Sequence, residues 1–216
     1  QRSVLHNILL EKSSSIGISV NFGRKLNSLN QEKDYVSLKF YNKLEIKAKY
    51  VVGADGIHSV VRKYISSENV SPRYANQIYI GGFISEKEII DSFKLDKNTQ
   101  YITVGPQSFF AYSIVDNVKK SDYNLLWYCY LQKEKYLTKQ ALKNYTEDII
   151  LSEVSQIHDN WHDPISDLIL NTKKVVKTNI YDMQGIETWS NKRILIIGDS
   201  CHAMHPISGQ GASFAM

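Results

Sequence analysis

The stretch RILIIGDSCHAMHPISGQGASFAM, Arg193 to Met216, decides how this chain is read. It opens on Ile194-Leu195-Ile196-Ile197, a short apolar run bounded by turn formers, which predicts a strand buried on both faces of a sheet. Gly198-Asp199 ends that strand. His202, His205-Pro206 and Gly209-Gln210-Gly211 follow, and from Ala212 the residues suit a helix. The order is therefore strand, acidic turn, glycine-rich loop, helix start. A carboxylate at a strand end accepts hydrogen bonds from ligand hydroxyls such as those of a polyol. Two glycines let the backbone come close to a planar ligand. The first amides of a helix favour an anion by about 0.3–1 kcal/mol.

The pattern occurs a second time upstream. Val51-Val52-Gly53 is a short apolar strand, Ala54-Asp55-Gly56 a turn, and a helix is expected over Ser59 to Ile65. Asp-Gly by itself signals only a turn. Here two roles stay open for the charged pair. Asp55 caps the helix with Arg62 exposed, or the Arg62 guanidinium on the first helical turn forks onto phosphate oxygens. At the other end, Gln1 to Leu10 reads as a helix with Val4, Leu5, Ile8 and Leu9 at helical spacing, and carries Arg2-x-x-Leu5-x-x-x-Leu9.

These three motifs, in their order along the chain from Arg2 to Gly211, resemble those of the group A FAD-dependent monooxygenases, the aromatic hydroxylases with a p-hydroxybenzoate hydroxylase-like fold. Gly198, Asp199, His202, Pro206, Gly209 and Gly211 match the family's GD-x-x-H-x-x-x-P-x-x-G-x-G. Asp55, Gly56, Ser59 and Arg62 match its Asp-Gly motif. The resemblance implies FAD and NAD(P)H as cofactors, with Arg2, Asp55, Gly56, Arg62, Gly198, Asp199, Pro206, Gly209, Gln210 and Gly211 as cofactor-binding residues. It implies an oxidoreductase in which NAD(P)H reduces the flavin and O2 hydroxylates an aromatic or other small organic substrate through a flavin C4a-hydroperoxide. A related reductase or halogenase, or a non-catalytic remnant, is the alternative. No GxGxxG occurs in the chain. Against the family pattern, that reads as a fragment lacking an N-terminal nucleotide-binding segment and a C-terminal region, and weak FAD binding is expected of it alone.

Between the motifs, Ile16–Phe22 alternates weakly as a strand, Tyr35–Tyr41 alternates well, and Leu44–Ala48 can pair with it across Asn42-Lys43. From Tyr74 to about Leu131 strand-like runs follow one another (77–84, 100–104, 108–115, 124–131), broken by a short helical stretch at 86–93. Successive strands without long helices mean an antiparallel sheet. In the family this sheet meets the substrate, so Phe110 and Tyr112 are expected to line a substrate pocket, the alternative being sheet-core aromatics. Lys135 to about Leu170 reads as helical, broken at Trp161–Ile165, and Val175–Tyr181 as a strand. The fold class expected is α/β with α+β elements, an incomplete FAD-binding Rossmann-like domain with an inserted antiparallel substrate sheet. The expected division is 1–73 and 173–216 in the FAD-binding domain and 74–172 in the substrate domain.

Bulk properties exclude other classes. Net charge is +4 over 216 residues, and the lysines fall in short pairs, which reads as solvated faces rather than a nucleic-acid surface. Cys129 and Cys201 are far apart with no CxxC, which fits a reducing, cytoplasmic setting and excludes a disulfide framework. No apolar run approaches the ~18 residues of a membrane span. His158 and His162 stand four apart, but no third ligand is near and no metal is expected. His202 and His205 are read as structural, so no acid or base is assigned.

Overall fold

The computed structural model describes residues 2–66, 70–85, 93, 95–106, 108–115 and 123–215. Its elements run α1 (Arg2–Ser15), β1 (Leu26–Gln31), β2 (Val36–Phe40), β3 (Glu45–Ala48), β4 (Val51–Gly53), a 3-10 turn (Val61–Tyr64), β5 (Arg73–Ile84), β6 (Gln100–Val104), β7 (Phe109–Ile114) and β8 (Leu125–Gln132). Then come α2 (Lys139–Asn144), α3 (Glu147–Ile157), α4 (Ile165–Leu170), β9 (Lys174–Asp182), β10 (Ser190–Asn191), β11 (Ile194–Ile196), α5 (Asp199–His202), a 3-10 turn (Pro206–Ser208) and α6 (Gly211–Ala215). The expected helix at 86–93 falls on residues outside those described, apart from Phe93. The fold is mixed α/β, divided into two compact units, Gln1–Lys12 with Asn76–Asn179, and Ser13–Ala75 with Ile180–Met216.

The first unit is built on a sheet of order β6-β7-β8-β5-β9. The pairs β6/β7, β7/β8 and β5/β8 are antiparallel, as the run of strands predicts. Alternation sends Phe110, Tyr112 and Ile114 to the same buried face as Leu125, Trp127, Cys129 and Leu131. That face packs Ile150 and Val154 of α3 and Ile165, Leu168 and Ile169 of α4. Each such side chain contributes about 1.5–3 kcal/mol by leaving water. The helical stretch after Lys135 is three helices rather than the two expected on either side of the break at Trp161–Ile165. Thr138 Oγ1 accepts from Ala141 N (3.1 Å) and Thr146 Oγ1 from Ile149 N (3.5 Å), so each threonine starts a new helix. Pro164 then precedes α4. Gly82 faces Trp127 across the β5/β8 pair, where the bare backbone makes room for the indole.

The second unit carries a hairpin sheet β1-β2-β3 and a small sheet β10-β11-β4. The β2/β3 turn uses Asn42-Lys43 as expected, with Lys43 at φ 64°. Ile16–Phe22 forms no strand. Its alternating apolar residues are exposed, and a period-2 pattern without a partner edge makes no ladder. β11 runs parallel to β4 with Ile194 opposite Val51 and Ile196 opposite Gly53. Ile194 and Ile196 are buried with Leu29, Val36, Val61, Ile65, Ile186 and Cys201. Leu195 and Ile197 are each 39% exposed, so the strand is covered on one face, not on both as the apolar run predicts.

Candidate functional site

The parallel register of β4 and β11 brings the two acidic turns side by side, although about two thirds of the chain separates them. Ile197 N donates to Gly53 O (3.0 Å), and Gly56 N donates to Ser200 Oγ (3.0 Å). Ser200 Oγ in turn donates to Asp55 Oδ1 (3.2 Å). Ser200 is fully buried and is the hinge pin of the arrangement.

Asp55 is consumed by its own loop. Its carboxylate accepts from Ser59 Oγ (2.5 Å), Val60 N (2.7 Å) and Val61 N (3.2 Å), capping the following turn. Burial alone would raise its pKa, but these donors outweigh it and hold the carboxyl below the ordinary value. The capped element is a 3-10 turn of four residues, not the helix expected over 59–65. Arg62 is 4% exposed and turns inward. Its guanidinium donates to Ser200 O (3.0 Å) and Ile57 O (2.7 Å). The exposed arginine does not describe it: the guanidinium closes on two backbone carbonyls and ties one turn to the other.

Asp199 differs. Its side chain is exposed and has no hydrogen-bond partner among the described residues. Gly198 precedes it at φ 60°, ψ −143°, a conformation open to glycine and costly for other residues. One helical turn, α5, follows, anchored by Cys201 Sγ on Gly198 O (3.2 Å). His205 Nδ1 accepts from Ile207 N (3.2 Å) and so caps the 3-10 turn that begins at Pro206. Gly209, at φ 64°, ends that turn, and Gln210 leads into α6. Ala54, Gly56, Gly198, Asp199, Pro206 and Gly211 are among the residues lining one cleft of about 640 Å³. Ile197, Met204, Ala212 and Ala215 complete it and were not singled out by the motifs. At Gly56 and Gly209 no atom lies within 4 Å of where a Cβ would stand.

Beside this loop, Asp182 receives a two-pronged ion pair from Arg73 (2.9 and 3.0 Å), which holds its carboxyl below the ordinary value. His205 is pushed down by burial, partly countered by Asp182. The ring of His202 lies 5.5 Å from Trp189, with Nδ1 buried and unpartnered.

Arg2 is the first residue of α1, and its side chain lies outside the described part. Phe110 and Tyr112 are buried in the sheet, away from the lining of the cleft above. Phe110 is fully buried, stacked on Trp127 at 5.0 Å and edge-on to His158 at 5.2 Å; Tyr112 stacks on Tyr101 at 4.9 Å. They share a strand face with Ile114, and that face packs against the helices. His158 is spent on Val154 O (2.7 Å) and Ser108 Oγ (3.2 Å), and His162 on Thr103 Oγ1 (2.7 Å). No metal-holding cluster occurs among the described residues.

Comparison with known proteins gives the family and the fold. A family model described as "FAD binding domain" matches residues 1–216. The chain is 28% identical over 85% of its length to a chloroplastic zeaxanthin epoxidase of Prunus armeniaca, of which it covers 26%. It is 23% identical over 92% of its length to 3-amino-4-hydroxybenzoate 2-monooxygenase of Streptomyces cremeus, of which it covers 46%. The fold matches Klebsiella pneumoniae HpxO, solved with FAD and uric acid, at a TM-score of 0.80 and 18% identity, over 100% of this chain and 51% of that one. The chain thus spans about half or less of the length of these relatives.

Proposed function

Because the chain belongs to the FAD binding domain family, we propose that the protein carrying it is an FAD-dependent monooxygenase that uses NAD(P)H and O2 to hydroxylate an aromatic or other small organic substrate. The observation that carries this reading is the contrast between the two acidic turns. Asp55 has its oxygens filled by the protein, whereas Asp199, beside it at the mouth of a glycine-lined cleft, has no hydrogen-bond partner among the described residues.

The residues present fit FAD. The cleft wall is small side chains and bare backbone, which suits a planar ring, and the free carboxylate suits the hydroxyls of a ribityl chain. Gly198, Asp199, Pro206, Gly209, Gln210 and Gly211 are assigned to hold the cofactor directly. Asp199 accepts from ribityl hydroxyls, Pro206 flanks the ring, and the Gly209–Gly211 backbone faces its polar edge. Gly56 is assigned to the same cleft, with Asp55 and Arg62 holding the turn that presents it. Arg2 is assigned a cofactor contact on its motif. Bound flavin supplies hydride acceptance from NAD(P)H and the activation of O2; the protein supplies position and a shielded environment. The unit Ser13–Ala75 with Ile180–Met216, together with α1, is assigned to the cofactor, and the five-stranded sheet with its helices to the substrate. Two buried free thiols, Cys129 and Cys201, support a cytoplasmic location, and no described helix is long and apolar enough to cross a membrane.

Asp199→Ala in the full-length protein tests the reading. A hydrogen bond to a charged group contributes about 1.5–3 kcal/mol, so FAD affinity should fall roughly 10- to 100-fold with the unfolding midpoint of the apoprotein unchanged. An unchanged FAD dissociation constant in a fluorescence titration would sink it.

A further inference from the structure

The chain's positive charge is not evenly spread. Residues 24–50 carry seven basic side chains against three acidic ones, an excess equal to the +4 of the whole chain. This segment holds the hairpin sheet β1-β2-β3 and ends where β4 begins. Lys192 and Arg193, just before β11, add two more positive charges at the same end of the β4/β11 pair, since Val51 N donates to Arg193 O (2.9 Å).

A cleft of about 490 Å³ lies there, lined by Gln31, Glu32, Lys33, Tyr50, Lys192 and Arg193. Its floor is a fixed guanidinium. Arg193 Nε donates to Lys33 O (3.0 Å), Nη1 to Lys49 O (3.4 Å), and its backbone N to Gln31 Oε1 (3.0 Å). The acidic group it reaches is Asp34, at 3.9 Å and 80% exposed, a distance and setting that neutralise little. The ammonium groups of Lys33 and Lys192 have no ion pair among the described residues. Lys192 sits at φ 52°, a conformation uncommon for a side-chain-bearing residue. Tyr50 is 63% exposed, with the Arg193 guanidinium 5.6 Å and the Lys49 ammonium 6.0 Å from its ring centroid. Glu32, the acidic residue of the lining, is held by Asn30 Nδ2 (2.6 Å).

We propose that this cleft is a second ligand site, for a phosphorylated planar-ring compound of the nucleoside diphosphate class. Three cationic side chains around one concavity favour two or more phosphate charges, the arginine as a positive charge held in place by the carbonyls of Lys33 and Lys49, with Nη2 not taken up by them, and the lysines as mobile point charges. A flat, exposed tyrosine beside them offers a stacking surface for a base. The site is separate from the Asp199 cleft. It lies at the N-terminal ends of β4 and β11, whereas Asp55 and Asp199 follow their C-terminal ends, about 10 Å away along three-residue strands. It therefore goes beyond the proposed oxygenation and does not depend on it.

The test is calorimetric titration of the full-length, flavin-loaded protein with ADP, AMP, adenosine and inorganic pyrophosphate, with the flavin absorbance followed in parallel. The expected result is one saturable ADP site, tighter than AMP or pyrophosphate, with adenosine not binding, and an affinity that falls steeply with salt. The double variant Lys33→Ala/Lys192→Ala should weaken ADP about tenfold or more. Tyr50→Ala should abolish the preference for ADP over pyrophosphate. Absence of saturable binding at low millimolar ADP overturns the proposal. So does ADP binding that the double variant leaves intact, or that displaces flavin, since either places the nucleotide elsewhere. Pyrophosphate equal to ADP on the unaltered protein overturns the ring-stacking half and with it the ligand class.

Discussion

Arg62→Met in the full-length apoprotein separates a scaffold arginine from a phosphate ligand. Methionine keeps most of the buried stem and removes the guanidinium. Two hydrogen bonds go, to Ser200 O and Ile57 O, and the fully buried Ser200 leaves its carbonyl in a site that water does not reach. Replacing a buried ion pair by a hydrophobe is often neutral because both partners leave together. Here the acceptors are backbone and remain. A charge-assisted bond contributes about 1.5–3 kcal/mol and an abandoned buried acceptor costs about 1–3, so with relief of the guanidinium's own desolvation the net loss should be about 2–4 kcal/mol. The loss is local to the two turns. Hydrogen exchange of the Gly56 and Val61 amides should speed roughly 30- to 1000-fold without FAD present. If those amides keep their protection and FAD affinity alone collapses, the arginine acts on the cofactor and the inward fork is not its working state.

Three further outcomes follow from the same geometry. Gly82→Ala would place a methyl 2.1 Å from the Trp127 indole, whose Nε1 donates to Thr172 Oγ1 at 2.8 Å; overpacking and the lost bond together should destabilise the sheet unit by about 2–4 kcal/mol in urea, and a change within ~0.5 would contradict the packing. Asp55→Asn should cost the apoprotein about 1–3 kcal/mol, because an amide oxygen cannot accept from four donors as the carboxylate does, and no loss would show those bonds to be idle. His205 has its folded pKa below the ordinary 6.5, so its contribution is complete above that pH and is lost as pH falls through the folded value, when protonation also removes the Nδ1 acceptor from Ile207 N. His205→Asn keeps a capping acceptor without the titration, and the unfolding midpoint of this variant should fall less than that of the unaltered protein between about pH 6.5 and 5; parallel curves would refute the cap.

What the sequence made legible was repetition. A short apolar strand ending in glycine and an acidic turn occurs twice, and both instances proved to be neighbouring parallel strands with their turns in contact. Composition and turn chemistry suffice for that. Side-chain direction was harder to read. In Phe109-Phe110-Ala111-Tyr112-Ser113-Ile114, a shift of one residue exchanges the two faces. Ile114 shares the Phe110/Tyr112 face, but Phe109 and Ala111 on the other face are buried as well, so the alternation alone could not say which face meets the helices. The inward turn of Arg62 had no signal either, because its acceptors are backbone carbonyls that have no letter in the sequence. Nor could spacing show that Thr138 and Thr146 divide one helical stretch, since a threonine caps only where the chain is already turning.

The two acidic turns show why a motif match does not assign a role to each of its letters. Both place an aspartate after a glycine at the end of a parallel strand, and both are followed by a helical turn. After Asp55 the chain folds back at once, so that the hydroxyl of Ser59 and the amides of Val60 and Val61 close on the carboxylate. After Asp199 the next hydroxyl, Ser200, points the other way, to Asp55 and Gly56, and leaves Asp199 facing the cleft. One serine thus completes the first turn at the expense of the second. The carboxylate it leaves without a protein donor is the one positioned to take donors from a ligand, and the carboxylate it helps to saturate is the one that keeps the pair of loops in register. In the proposed reading, affinity for the cofactor and rigidity of its seat are in this way carried by different members of what reads, in sequence, as the same motif twice.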